Sequence, residues 1–98
     1  MTNAEADFQD AARELGCIAC LVSGYPRADG DIHHILSGGR RISEMDVLCL
    51  CPAHHRTGGG HGRVISRHPW RTRFEAAYST EKNLLAIIRR MVQERMAA

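Results

Sequence analysis

No stretch of the chain approaches the roughly 20 consecutive apolar residues of a membrane span, and no secretory signal is visible. A cytoplasmic protein without a membrane partner is therefore expected. There are no internal repeats, no low-complexity tracts and no sign of a second domain, so residues 1–98 read as one domain. Aromatics are few: Phe8, Tyr25, Trp70, Phe74 and Tyr78. A chain this short buries a modest share of its surface, and a structural metal would supplement so thin a core. In a reducing compartment the four cysteines are better read as metal-bound thiolates than as disulfides.

Net charge is small too, at +2, but it is unevenly placed. Residues 1–16 carry a local −3 and residues 40–73 a local +5. The basic segment contains no lysine; its cations are Arg40, Arg41, Arg56, Arg63, Arg67, Arg71 and Arg73. Guanidinium forks suit phosphate through charge-assisted, paired hydrogen bonds. A merely solvated surface is the alternative, and the clustering of charge around the histidines favours phosphate.

Thr2-Asn3-Ala4-Glu5 fits a helix capping box, Phe8, Ala11, Ala12 and Leu15 follow at helical spacing, and Gly16 can close the helix. Turn residues dominate Val22 to Asp29, which reads as a loop. Ile32 to Leu36 and Val47 to Leu50 are short apolar runs expected to pair as strands. Pro52 suits the first position of a short helix, which Gly58, Gly59, Gly60 and Gly62 break. Pro69 starts another helix, with Trp70, Phe74, Ala77 and Tyr78 on one side. Ser79 or Thr80 caps the last one, whose stripe of Leu84, Leu85, Ile87, Ile88, Met91 and Val92 is core or, alternatively, a dimer face.

Cys17-x2-Cys20 lets two sulfurs converge on one ion. Redox pairs share that spacing, but they need a βαβ setting that is not visible. With His33 the pattern imitates a zinc finger, yet no second histidine follows roughly 3–5 residues later. Cys51-x2-His54 copies the first half-site with one imidazole, and Cys17, Cys20, Cys51 and His54 together make a tetrahedral Cys3His site for structural zinc. Cys49 competes with Cys51 but lies inside an apolar run; buried, unligated cysteines are the remaining alternative. Zinc would then clip the ends of a hairpin. His33, His34, His55, His61 and His68 are left over, more than such a core needs.

Through Asp31-Ile32-His33-His34 and Leu50-Cys51-Pro52-Ala53-His54-His55 the chain resembles the HNH endonuclease superfamily. More narrowly it resembles the phage recombination-enhancement, RecA-dependent nucleases. Cys17-Ile18-Ala19-Cys20 and His68-Pro69 followed by Phe74-Glu75-Ala76-Ala77-Tyr78 complete that match. The resemblance implies an α+β fold: a zinc-stabilised ββα-metal core over about residues 17–62, an N-terminal helix, and a helical part over about 69–96. It implies hydrolysis of DNA phosphodiester bonds with a divalent cation such as Mg²⁺ or Mn²⁺, and a RecA filament as partner. Carried over, His33 and His55 are ligands of the catalytic ion and His34 is the general base, since imidazoles in general can take a proton from water near neutral pH. Asp46 stands where the family often has an asparagine that orients the base. The usual third ligand position is Gly59, so His61 is the nearest candidate, and His68 reads as helix-start structure, with a place in the site as the alternative. Arg40, Arg41, Arg56 and Arg63 are the expected DNA contacts.

A regular strand points His33 and His34 to opposite faces, so one shared site requires the strand to end or bulge there. The acidic first sixteen residues imply weak DNA affinity for the isolated chain. A non-catalytic zinc module binding nucleic acid or a protein stays open as the alternative, and a purely structural dimer as a third reading.

Overall fold

The computed structural model describes residues 1–97. Helix α1 (Asn3–Leu15) starts on a reciprocal cap. Thr2 Oγ1 accepts the Glu5 N–H at 3.1 Å, and Glu5 Oε1 accepts the Thr2 N–H at 2.7 Å. It stops at Gly16, whose φ of +83° is a left-handed conformation that glycine takes without strain. Phe8, Gln9, Ala11 and Ala12 form its buried face. The short helix α2 (Ile18–Val22) follows, with Cys17 Sγ accepting the Cys20 N–H.

Four short strands come next: β1 (Asp31–His34), β2 (Leu36–Ser37), β3 (Arg40–Arg41) and β4 (Val47–Leu50). β1 and β4 pair antiparallel, with Asp31 opposite Leu50 and His34 opposite Val47. β2 and β3 form a separate two-residue ribbon, with Leu36 opposite Arg41. Gly30 lets the chain enter β1 against the end of β4: a Cβ there would sit 2.5 Å from the Leu50 carbonyl and 2.8 Å from Cys51 N. The expected strand to Leu36 is interrupted at Ile35, although the Ile35 N–H still donates to Asp46 O at 2.9 Å.

β4 is buried along its whole length, because α1, α2 and the last helix all pack on it. That is why it reads as an unbroken apolar run rather than an alternating one. Helix α3 (Arg71–Tyr78) adds Phe74 to the core, while Trp70 and Ala77, expected beside it, are exposed. Helix α4 (Glu81–Ala97) adds Leu84, Leu85, Ile88 and Val92. Each leucine or isoleucine buried this way contributes ~1.5–3 kcal/mol. Of the expected stripe, Ile87 packs partly buried against this core and Met91 is half-buried. The result is a small α+β fold. Among the described residues no helix is long and apolar enough to cross a membrane.

The short helix expected after Cys51 is a single π-type turn, Ala53–Thr57, with the Gly58 N–H donating five residues back to Ala53 O at 2.9 Å. Such widened turns recur at functional sites. The glycine-rich segment beyond it folds around the buried Ser66. Its Oγ accepts the Gly58 and Gly59 N–H groups at 2.6 and 3.1 Å and donates to Ala53 O at 2.7 Å. The chain is thereby returned alongside the π turn.

Candidate metal centres

The start of α2, the end of β4 and the π turn bring Cys17, Cys20, Cys51 and His54 together, all buried, with ligand atoms within 4.8 Å of one another. His54 Nδ1 lies 3.6, 3.4 and 3.2 Å from the sulfurs of Cys17, Cys20 and Cys51, and the Cys20 and Cys51 sulfurs are 3.9 Å apart. Tetrahedral zinc with ordinary bond lengths sets S···N near ~3.6 Å and S···S near ~3.8 Å, so the cage already has the ion's dimensions. On the far side of the ring, His54 Nε2–H donates to Tyr78 Oη at 3.0 Å, which also accepts the Ile65 N–H at 2.9 Å. This outer partner leaves Nδ1 free as the ligand. Without an ion, burial pushes the Cys17 thiol up and Cys20 to about 12, with neighbouring thiols adding to the effect. A cation supplies the charge that stabilises the thiolates. Four protein ligands close the site, so it can hold zinc structurally. Cys49, its thiol raised to about 11 by burial, stands outside the group.

His33, His55 and His68 form a second cluster. Their ring centroids make a nearly equilateral triangle with sides of 5.4, 5.1 and 5.2 Å. His33 comes from β1 and is 6% exposed. His55 directly follows the cage ligand His54. His68 is delivered by backbone pairing: the Arg67 N–H donates to His54 O at 2.7 Å and the His68 N–H to His55 O at 3.0 Å. Burial lowers the pKa of His55, with the His33 ring adding to it. Burial, with the nearby Arg67 guanidinium, pushes His68 down to about 4. Both rings are therefore neutral near pH 7 and offer lone pairs, as a divalent cation requires. Three imidazoles, with no fourth side chain in the group among the described residues, make an open rather than a closed coordination set.

Two carboxylates flank the histidines. Glu81, 2% exposed at the start of α4, accepts His33 Nε2–H on Oε2 at 2.7 Å. Its Oε1 lies 3.1 Å from Arg67 Nε and 3.4 Å from Arg71 Nε. The Arg67 N–H is not aligned on that oxygen, so the contact is an ion pair without a hydrogen bond. Burial alone would raise the Glu81 pKa; the His33 hydrogen bond and the Arg67 charge outweigh it, and the net shift is down. Elsewhere, His34 Nε2–H donates to Glu44 Oε2 at 3.2 Å. Gln9 Nε2 donates to Glu44 O at 2.7 Å. The hydrogen bonds from His34 and then Gln9 hold the Glu44 carboxyl below its ordinary pKa.

Of the residues singled out from the sequence, the cage quartet meets, and so do His33 and His55. His61 does not join them. It is exposed, and its Nε2 lies 2.7 Å from Arg73 Nη1. The fold of residues 58–66 around Ser66 carries His61 outward and His68 inward, so His68 is a member of the cluster rather than only helix-start structure. The Asp46 carboxylate pairs with Arg89 Nη2 at 2.5 Å, and Glu44 is the acid on His34 instead. The β1–β4 ladder is regular through His34, without a bulge, so His33 and His34 face opposite sides of β1. Arg40, Arg41, Arg56 and Arg63 are all exposed. Glu81 and Glu44 carry no signal in the sequence, and His68, Arg67 and Tyr78 take places other than those their sequence positions suggest. Pro69 disfavours a helical conformation at His68 and so hinted at an extended segment there.

A cavity of about 430 Å³ between α1 and α4 is lined by residues such as Phe8, Met45 and Val92 and by none of the metal-binding groups. The three-histidine cluster lies apart from this cavity. No curated protein matches the chain. The sequence model of a family described as recombination enhancement, RecA-dependent nuclease matches residues 1–93.

Proposed function

We propose that this chain, which belongs to the recombination-enhancement, RecA-dependent nuclease family, is a metal-dependent endonuclease of HNH type that hydrolyses DNA phosphodiester bonds. The observation that carries this reading is the open triangle of neutral imidazoles, His33, His55 and His68, beside a closed Cys3His cage. Open and closed ligand sets are the marks of catalytic and structural metal sites respectively. His33, His55 and His68 would hold a divalent cation, which would supply positive charge to a scissile phosphate and make a bound water more acidic. Arg56, exposed on the π turn next to His55, and Arg40, Arg41 and Arg63 contribute phosphate contacts. His34 is the proposed base. Glu44 engages its Nε2–H, which leaves the Nδ1 lone pair to accept a proton. Glu44, rather than Asp46, is the orienting carboxylate. The family supports DNA as substrate and a RecA filament as the partner that directs cutting.

One observation favours the alternative of a non-catalytic zinc module: His34 faces away from the three-histidine cluster. The two readings separate in a plasmid-nicking assay with Mg²⁺ or Mn²⁺, with and without RecA filaments. Wild type should nick, more with RecA, and His34→Ala should lose most of the rate. Salt-sensitive DNA binding with no cleavage under any of these conditions would establish the module instead. Undiminished cleavage by His34→Ala would remove His34 from the mechanism.

A further inference from the structure

We infer that Glu81 is a positioning residue that sets the tautomer of His33 and, through it, the affinity of the three-histidine site. A carboxylate only accepts hydrogen bonds, so its 2.7 Å contact requires the proton to sit on His33 Nε2. The lone pair then lies on Nδ1, the one nitrogen left to meet His55 and His68. An anionic partner on the far nitrogen also makes the imidazole a stronger donor to a cation.

Ordinary helix capping does not account for Glu81. An acid in the first helical turn usually serves the macrodipole or the free N–H groups from an exposed position. Here the Glu81 N–H is already accepted by Glu75 Oε2 at 2.8 Å, and Thr80 Oγ1 accepts the Asn83 N–H at 3.1 Å. The Glu81 side chain is free of capping duty and turns inward, where a charge is costly unless it is paired. Its two oxygens divide the work. Oε2 is spent on His33, and Oε1 faces Arg67 and Arg71. Arg67 immediately precedes His68, so one carboxylate braces two of the three ligand segments.

This inference rests on the three-histidine metal site, and the experiment separates the two. Long-range ¹H–¹⁵N correlation spectra of the zinc-loaded, unmutated chain should show His33 protonated on Nε2 and not on Nδ1. Metal titration against a chromophoric chelator should find two ions per wild-type chain. In Glu81→Gln the cage ion should remain and the second should bind about 10–100-fold more weakly. A His33 proton on Nδ1, or a second ion bound by Glu81→Gln as tightly as by wild type, overturns the role of Glu81 alone. A single ion per wild-type chain overturns the three-histidine site and this assignment with it. Should Glu81→Gln fail to fold, the tautomer in the wild-type chain still decides.

Discussion

Removing the ion from the Cys3His cage should unfold the chain rather than loosen it. The cage ties together α2, the end of β4 and the π turn, three segments held otherwise by a small core. Structural zinc in small domains is worth ~10–16 kcal/mol in apparent binding free energy at neutral pH. The whole stability of a domain is ~5–15 kcal/mol. The first quantity is as large as the second, so little folded protein should survive metal removal. Even a residual zinc contribution of ~4 kcal/mol corresponds to a Tm lowered by ~16–32 °C, at ~4–8 °C per kcal/mol for a domain of this size. The assay is far-UV circular dichroism during heating, with and without a strong chelator, followed by zinc re-addition. Cys51→Ser should behave like the chelated wild type. Cys49→Ala, altered outside the cage, should keep its zinc and melt cooperatively. A chelated wild type that still melts cooperatively within ~10 °C of the loaded form would refute the reasoning.

His68→Ala should reduce bound metal from two ions to one per chain, whereas His61→Ala should leave two; metal analysis after desalting distinguishes them, and the reverse pattern would return His61 to the site. Zinc affinity of the cage should rise with pH. Cys17 and Cys20 enter as raised-pKa thiols and must release protons on binding. The cage binds three thiolates, so at least two displaced protons give at least about 100-fold per pH unit between pH 6 and 7.5, measured by chelator competition; an affinity independent of pH would contradict protonated thiols. Phe74→Ala, which empties a fully buried position contacting Tyr78, should cost ~3–5 kcal/mol in urea unfolding of the zinc-loaded chain, and a cost below ~1 kcal/mol would mean the site collapses.

The cage was legible because its spacing is local: each half-site places two ligands within one turn, and only the pairing of the halves had to be inferred. α1 was legible for the same reason, since Thr2 and Glu5 cap it three residues apart. His68 was not legible, because nothing periodic links it to His55. It arrives through a backbone pairing made possible by Ser66, a small polar residue whose three hydrogen bonds are invisible until the loop closes. Glu81 read as an unremarkable first-turn acid because burial is a tertiary property and the capping is done by Thr80 and Glu75. The exchange of Asp46 for Glu44 is a matter of two residues in a turn, where carboxylates of similar reach compete and Arg89, from a distant helix, takes one of them.

His54 and His55 are neighbours in the chain but serve different clusters. A single peptide bond joins the two clusters, which couples their geometry. Zinc in the sulfur cage would fix the direction of the backbone that presents His55, and an ion held by the second cluster would enter a frame that the first had built. Loading would then be hierarchical, and stripping would run in reverse. A mild chelator should silence cutting while the fold persists, and only a stronger one should collapse the molecule.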